Sequence, residues 1–491
     1  MAAPLTRRAF LAAAAALPGM RGIERQAAGP APHSADVVVI GGDPGALAAA
    51  HRLASAPVRR VVLLQDRPAW LPAPPVPDAV AALPPFVRGH AVCFDGWRDR
   101  GNRGWGYADV LPSFKRLERY EAGASDHRGG NGPLAVSHCW DPHPGHRAFL
   151  QACVSGGFHQ DSRHDFNGPR SQSVAGYYQK TVKDDRPHTF AAAFLEPAVT
   201  QGAVVVDGGY VTRIVFEGRR AVAVDYTRGG ERLTVRATRG VVLGAAPARA
   251  AQLLLLSGIG PAAQLRTLSV PVILDRPGVG ANLHDQVGVP LRWQALPPAQ
   301  NFPDSSVTAG LFTVSLVASP PDLQIDFVDP RTSGDGTLGV DLTMVQPTSR
   351  GQVRLQSTDA HAAPQLATNS LDTEGDVTAL VQGIRLARLV GASPVLDRLR
   401  GDELDGSGTA VTTPDLQAYV RGAATSRGHH AGTCAMGPAS DPAAVVGEGL
   451  DVHGLDGLFV VGAAVMPMVV NAPPDAAALM IGDRGGEFVG R

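Results

Sequence analysis

The sequence predicts an α/β fold in which both ends of the chain contribute to one layer and the middle forms an inserted domain. Between residues 36 and 66, a β-branched run, a glycine-containing turn, an alanine-rich run and a second β-branched run follow one another. That order and length suit a βαβ unit of the dinucleotide-binding kind. Near the other end, an apolar run at residues 458–462 precedes a helical pattern that starts at about Ala476.

The first βαβ unit is the clearest local pattern. Residues 36–40, Asp-Val-Val-Val-Ile, predict a buried parallel strand. Gly41-Gly42-Asp43-Pro44-Gly45 ends that strand, and residues 46–55 have the apolar periodicity of a helix. A second strand is predicted at residues 60–64, before Gln65 and Asp66.

The middle of the chain contains a small meander and then a second domain. Strands are predicted at residues 203–206, 211–215, 220–224 and 239–245, and a helix at 249–256. Beyond these, strands at 323–328 and 351–355 alternate with a helix at 378–390. We therefore divide the chain into a tail at 1–31, a first domain at 35–288 with loop-rich insertions, a substrate-facing domain at 289–423, and a return to the first domain at 424–491.

The N-terminus predicts export. Thr6-Arg7-Arg8-Ala9-Phe10 precedes an alanine-rich apolar run from Leu11 to Leu17, in the order of a twin-arginine (Tat) signal. The run is too short to span a bilayer. Small residues at 27–31 offer cleavage points. The expected location is therefore the periplasm or the extracellular space.

Composition narrows the partners and the metal chemistry. The chain has 491 residues and a formal net charge of −1, so nothing in its charge favours nucleic acid or an anionic membrane. No CxxC or His/Cys metal spacing is present, and no metal is predicted. Four cysteines, at 93, 139, 153 and 434, are expected to be buried free thiols, although export would permit disulfides.

Several longer stretches match one family. They are rich in glycine and aromatic residues, and they follow one another as Arg88–His90, Phe94–Trp97, Gly101–Pro112, Gln252–Pro261, Pro277–Asp285, His429–Gly437 and Ala463–Pro467. In this order they resemble RGH, YDGW, GNPGWGYDDVLP, the second signature around SGIGP, PGVGxNLxDH, HPVGTCRMG and ASxMP of the glucose-methanol-choline (GMC) oxidoreductases.

The resemblance implies a fold, a cofactor and a reaction. The fold is a doubly wound, Rossmann-like FAD-binding domain with an inserted α+β substrate-binding domain. The cofactor is FAD, and the substrate is a small-molecule alcohol. In that chemistry a hydride leaves the alcohol carbon for the flavin while a base takes the hydroxyl proton.

The resemblance also assigns two catalytic positions. His429 falls on the family's principal histidine, and an unperturbed imidazole titrates near working pH. The partner position, normally Asn or His, falls on Asp475. A carboxylate there is expected to raise the pKa of His429 and favour imidazolium. Asn471 is the alternative, but its use requires a four-residue gap.

Cofactor contacts are implied by resemblance at Gly41, Gly45, Ala46, Gln65, Val211, Gly462 and Ala463. The phosphate turn should read GxGxxG/A, and Gly41 and Ala46 conform to it. Val211 takes the place of the family's adenine-contacting valine, which acts partly through its backbone.

Other positions depart from the family. Asp43 replaces the middle glycine of the turn and adds a side chain and a negative charge where a pyrophosphate would approach. Gln65 replaces an acid, Gly462 replaces the Asp of DASxMP, and residues 249–251 replace Asn-Ser-Pro. The segment between Gln65 and Arg88 is several dozen residues shorter than in the family and lacks the GGSSxxN stretch around the flavin.

These departures leave three hypotheses open. The first is an exported FAD-dependent alcohol oxidase or dehydrogenase, and the second is a non-catalytic GMC-fold protein that has lost flavin binding and serves as a binding or accessory module. The third, a Rossmann enzyme that uses NAD, depends on the generic turn alone. The electron acceptor and the identity of the alcohol stay open.

Overall fold

The computed structural model describes residues 32–58, 60–71, 80, 83–168, 173–316, 320–404 and 408–491. The predicted export segment at residues 1–31 lies outside them.

The helices, in chain order, are α1 (Pro44–Ala54), α2 (Ala91–Asp99), α3 (Tyr107–Leu117), α4 (Pro144–Ser155), α5 (Glu196–Thr200), α6 (Pro247–Leu256), α7 (Ala262–Thr267), α8 (Pro297–Gln300), α9 (Glu374–Gly391), α10 (Thr413–Ala423) and α11 (Asp475–Gly490). Single helical turns of other pitch lie at Ala191–Leu195, Pro394–Leu396 and Ala463–Val465.

The strands of the first half are β1 (Ser34–Ile40), β2 (Val61–Leu64), β3 (Glu118–Tyr120), β4 (Leu134–His138), β5 (Ala175–Tyr177), β6 (Gln179–Lys180), β7 (Val182–Lys183), β8 (Arg186–Pro187), β9 (Val204–Val206), β10 (Tyr210–Glu217), β11 (Arg220–Arg228) and β12 (Glu231–Leu243). The later strands are β13 (Ile259–Gly260), β14 (Leu274–Asp275), β15 (Val287–Ala295), β16 (Ala309–Thr313), β17 (Leu323–Val328), β18 (Leu338–Met344), β19 (Gln352–Arg354), β20 (Gln365–Ala367), β21 (Arg400–Glu403), β22 (Thr425–Ser426) and β23 (Leu458–Val460).

The first sheet is the layer to which both ends of the chain contribute. Its order is β10-β11-β12-β1-β2-β9, and β23 pairs with the end of β12. β1 is parallel to β2 and β12, while β9 and β23 extend the parallel part. The run from Val37 to Ile40 is fully buried, as an uninterrupted apolar strand requires when helices cover both faces. The predicted α/β, Rossmann-like class is confirmed.

One long strand connects the meander to this layer. The strand predicted at residues 239–245 is the second half of β12, which begins at Glu231. Its first half is antiparallel to β11, and its second half is parallel to β1. The first residues of β12 are polar and exposed, so the apolar pattern of the sequence predicted only its buried second half.

Close helix packing joins the two ends of the chain. α1 lies against α11, and glycines allow the approach: a Cβ at Gly482 would lie 2.1 Å from Gly45 O. A Cβ at Gly486 would lie 2.7 Å from Arg52 Cβ. Such distances are shorter than van der Waals contact, so larger residues would force these helices apart.

The second sheet forms its own core. Its order is β21-β15-β18-β17-β16-β5, with β22 beside β15. Helix α9 packs on it, and a Cβ at Gly383 would lie 2.7 Å from the Leu342 side chain. Strand β5 and helix α4 also belong to this core, although the sequence placed them in the first domain. Their partners lie more than a hundred residues further along the chain, a distance at which local pattern carries no information.

All four cysteines are buried and free, as expected. Within the described residues, no helix combines the length and the apolar character that crossing a membrane requires.

Candidate active site and cofactor site

Three of the motif segments are joined by backbone hydrogen bonds. Residues His284 and Ala431 exchange N–H···O bonds of 2.9 and 3.2 Å, and Gly432 N donates to Ala463 O at 3.0 Å. Gly432 has a φ of +87°, and a Cβ there would lie 2.5 Å from Asn282 O. Only glycine tolerates that conformation in that space. The loop that carries His429 is therefore fixed against the PGVGxNLxDH and ASxMP segments.

His429 is oriented by Gln286. The Gln286 amide nitrogen donates to three carbonyl oxygens, those of Val345, Val470 and Ala472, at 2.9 to 3.1 Å. This orientation leaves Oε1 of Gln286 as an acceptor, 2.8 Å from Nδ1 of His429. The ring proton must therefore be on Nδ1, and Nε2 keeps its lone pair.

The environment keeps this imidazole neutral. Burial first, and then the neighbouring Arg427 and His430, lower the pKa of His429 to about 4. Desolvation and nearby cations both disfavour imidazolium. A neutral ring with a free Nε2 is the form that accepts a proton.

The expected pairing of His429 with Asp475 is not found. Among the described residues, no hydrogen bond joins them, and the pKa of His429 is lowered rather than raised. Asp475 is the first residue of α11 and faces Asp43 instead. The alternative, Asn471, is also engaged elsewhere: its Oδ1 accepts from His90 N at 2.7 Å. The charged partner that the sequence predicted for the base is thus replaced by the neutral amide of Gln286.

The phosphate-type turn keeps its close-packed frame. Gly41 has a φ of +122°, and a Cβ there would lie 2.4 Å from Gly244 O. A Cβ at Gly45 would lie 2.6 Å from Gly462 Cα, and Ala46 is fully buried. Gly462 itself has φ +85° and ψ −161°, a conformation restricted to glycine. The Asp of the family motif could not occupy that position without strain.

Two carboxyl groups lie beside this turn, one at the N-terminus of α1 and one at the N-terminus of α11. Asp43 is the N-cap residue of α1, yet its side chain caps no N–H group. Burial first, and then the Asp475 carboxylate, raise the pKa of Asp43 to about 7. Burial raises the pKa of Asp475 to about 6. The helix N-termini that would attract a pyrophosphate thus already have acidic groups beside them.

At the end of β2, Asp66 rather than Gln65 points inward. Gln65 is half-buried, and its backbone N–H donates to Val206 O. The Asp66 side chain is fully buried and accepts a 2.9 Å bond from Val211 N. The ribose-binding role predicted for Gln65 has no described contact that supports it.

Arg249, on α6, completes this buried group. Its guanidinium lies 2.8 and 3.1 Å from the two oxygens of Asp66, and both side chains are fully buried. It also donates to Val211 O, to Gln252 Oε1 and to Ala360 O. All five N–H groups of the Arg249 guanidinium therefore have an acceptor.

These residues do not fit FAD as they stand. The glycine frame of the turn suits a close-lying pyrophosphate, but the buried carboxyl groups of Asp43 and Asp475 lie beside it. The N–H and C=O of Val211, the edge expected to bind adenine, are bonded to Asp66 and Arg249. Two hollows among the described residues, one lined by Phe149, Trp293 and Phe327 and an open one beside α5, include none of these residues.

Another polar cluster lies in the second domain. His143, His146 and Asp329 offer ligand atoms within 4.8 Å of one another, although the sequence showed no metal spacing. Gly145 N–H donates to His143 Nδ1 at 3.0 Å, so the ring proton is on Nε2, which lies 3.3 Å from Asp329 Oδ2. A protonated Nε2 donates to the carboxylate and has no lone pair for a metal. The arrangement suits a hydrogen-bonded helix cap.

Comparison with known proteins identifies the family. Residues 84–288 match the N-terminal and residues 347–482 the C-terminal model of the GMC oxidoreductases. This chain belongs to the GMC oxidoreductase family. It is 33% identical over 436 residues to a mitochondrial choline dehydrogenase of Mus musculus, covering 82% of this chain and 73% of the relative. It is 31% identical over 435 residues to an oxygen-dependent choline dehydrogenase of Brucella canis, covering 82% and 79%.

Solved structures share the fold. A pyridoxine 4-oxidase from Mesorbium loti superposes with a TM-score of 0.81 at 24% identity, covering 92% of this chain and 99% of the other. An FAD-dependent oxidoreductase from Chaetomium thermophilum gives 0.82 at 19% identity, covering 93% and 99%. FAD is the cofactor of this family, and the chain is a GMC-type oxidoreductase by descent and fold.

Two residues of the site were not predicted to act. Gln286 takes the last position of PGVGxNLxDH, where the family has His, and that mismatch was the available signal. Arg249 was noted only as a departure from the second signature. The pairing of Arg249 with Asp66 follows from the fold alone.

Proposed function

We propose that the chain is an FAD-dependent oxidoreductase that acts on the CH–OH group of a small-molecule alcohol, with His429 as the proton acceptor. The single observation that carries this proposal is the state of His429, a neutral ring whose Nδ1–H is bonded to Gln286 and whose Nε2 lone pair is free. FAD, when bound, would supply the redox chemistry of the family.

The residues of the chain account for the proton. An alcohol hydroxyl that donates to Nε2 would transfer its proton there as the C–H bond breaks. The Gln286 carbonyl oxygen would stabilise the resulting imidazolium through Nδ1–H. The low pKa makes His429 a weaker base than a free imidazole, and the same low pKa keeps it unprotonated over the whole physiological range.

The relatives support the substrate class. The curated relatives are named as choline dehydrogenases, and two solved structures are named as a pyridoxine oxidase and an aryl-alcohol oxidase. Each of these names denotes oxidation of an alcohol group, so a small alcohol is the substrate class that this chain would share with them.

A second candidate function is favoured by the filled cofactor site. If the acidic groups at residues 43 and 475 and the buried pair of Asp66 and Arg249 exclude FAD permanently, the chain is a non-catalytic member of the family that serves as a binding or accessory module.

The experiment that separates the two functions is an absorbance spectrum. The purified protein is measured before and after incubation with FAD and desalting. Retained flavin bands that bleach on addition of an alcohol support the oxidoreductase. A protein that unfolds cooperatively but retains no flavin at any FAD concentration contradicts it and supports the second candidate.

We also propose export through the twin-arginine route, on the sequence of residues 6–17 alone. Replacing both Arg7 and Arg8 with Lys should leave the protein in the cytoplasm of a Tat-competent host. Normal export of that variant would contradict the proposal.

A further inference from the structure

The backbone of Val211 presents a donor and an acceptor side by side. Its N–H and C=O point away from the neighbouring strand toward β2 and α6, where they meet Asp66 and Arg249. An adenine ring offers the complementary pair on one edge, a ring nitrogen that accepts and an amino group that donates. The ion pair therefore presents to Val211 the same two functions, an acceptor oxygen and a donor N–H.

The shape of the ion pair also resembles a base. A guanidinium that binds a carboxylate through two parallel bonds forms a flat unit. The Arg249 carbon lies 4.7 Å from the centre of the Tyr210 ring, which in turn stacks on His361 at 4.0 Å. A flat group against an aromatic face is what a bound base would also form.

The segment around Ala360 closes the remaining side. Ala360 O accepts from Arg249 and from the Tyr210 hydroxyl, and Ala362 O accepts from the Gln252 amide at 2.7 Å. With these bonds, the ion pair is fully buried and its polar groups are satisfied. A second ligand cannot reach Val211 unless this group moves.

We propose that the Asp66–Arg249 pair occupies the adenine position of the cofactor site, so that the chain closes this end with its own side chains and admits an adenine nucleotide only when Arg249 is displaced. The inference takes FAD as the natural ligand from the proposed function. It concerns the adenine end alone and does not depend on alcohol oxidation.

Adenosine is the probe that tests this end in isolation. It carries no phosphate, so Asp43 and Asp475 do not repel it, and no flavin, so the shortened segment before Arg88 has no effect. Its binding is measured by calorimetry to the full chain and to the double variant Asp66→Ala/Arg249→Ala. The double change empties the position without leaving an unpaired buried charge.

We expect the double variant to bind adenosine at least about tenfold more tightly than the unaltered chain, since the pair no longer competes for Val211. Equal affinities, or no binding by a folded double variant, would overturn the proposal. Failure of the proposed function alone would give a different result. The double variant would then bind adenosine, but no alcohol would reduce the FAD added to it.

Two further variants control the experiment. Arg128→Gln breaks another fully buried pair, with Glu118 at 2.8 Å, and should not increase adenosine affinity. If it does, general loosening explains the gain and the proposal fails. If the double variant does not unfold cooperatively, Asp66→Ser/Arg249→Ala takes its place, because serine is shorter than aspartate and leaves no unpaired buried charge. Its affinity should then also exceed that of the unaltered chain, and no increase overturns the proposal.

Discussion

The histidine loop and the adenine end correspond to two parts of one family site, and they differ in whether their hydrogen-bonding groups are left free for a ligand. At the histidine loop, Nδ1 of His429 is bonded to Gln286, and Nε2 of the same ring stays available to accept a proton. At the adenine end, the side chains of Asp66 and Arg249 use up the available bonds. The histidine can therefore still accept a proton from a bound substrate, whereas the polar groups at the adenine end are fully hydrogen-bonded without a ligand.

The difference follows from what builds each end. Backbone hydrogen bonds and glycines hold the histidine loop, so most of its side chains can change without moving His429. At the cofactor site, by contrast, individual side chains decide whether FAD can bind. Single departures from the family motif, such as Arg249 and Asp43, change the hydrogen bonds and charges of this site while the sheet stays intact.

The largest expected effect concerns the histidine itself. In FAD-loaded protein, His429→Ala should lower the rate of flavin reduction by alcohol by about 10²- to 10⁴-fold, the usual contribution of a positioned base. The FAD content should not change, because this ring contacts none of the groups at the adenine end. Stopped-flow reduction measures the rate, and an unaltered rate would remove His429 from the mechanism.

Gln286→Leu should have the next largest effect. Without the Oε1 acceptor, the ring of His429 loses its fixed tautomer, and we expect reduction to slow by about 10- to 100-fold. Three backbone carbonyls also lose their donor, which should cost about 1–3 kcal/mol of unfolding free energy. Gln286→Glu serves as the comparison, since it keeps an acceptor at Nδ1 but removes those donors. Equal rates in Gln286→Leu and the unaltered protein would show that orientation by Gln286 is not needed.

Asp43→Asn should change how stability depends on pH. The pKa of Asp43 is about 7 in the folded protein, against 3.8 for an ordinary Asp. Between these values the folded state holds a proton that the unfolded chain has released, so stability falls as pH rises through that window. The variant should therefore gain about 1–3 kcal/mol over the unaltered protein at pH 8 and almost nothing at pH 4. Urea titrations at both pH values measure this, and a pH-independent difference would contradict the assignment.

The smallest expected effect is an absence of pH dependence near neutrality. An imidazole of ordinary pKa would lose about tenfold of its neutral form between pH 7.5 and 5.5. With a pKa of about 4, His429 should lose little, and alcohol-dependent reduction should change by less than about twofold over that interval. A decline centred near pH 6.5 would show that the ring is more hydrated than its contacts indicate.

Local sequence pattern was enough for the layer and its first helix, because these depend on short periodic runs, and a motif marked His429 as the candidate base. It was not enough for the partners. Gln286 lies 143 residues from His429, and Arg249 lies 183 residues from Asp66. The same limit explains why Asp475 was paired with the histidine: motif spacing places a residue along the chain, and only packing decides which of its neighbours it faces.

The contact between α1 and α11 has a consequence for biosynthesis. The first helix of the fold finds its glycine-lined partner only among residues 475–490, and β1 finds β12 only after residue 243. An N-terminal portion still attached to a translating ribosome would thus expose the apolar face of α1 and the edge of β1 that later pairs with β12. The layer cannot be completed until residues 475–490 have emerged, and the segment that emerges before them is where a chaperone that shields apolar surface would be needed.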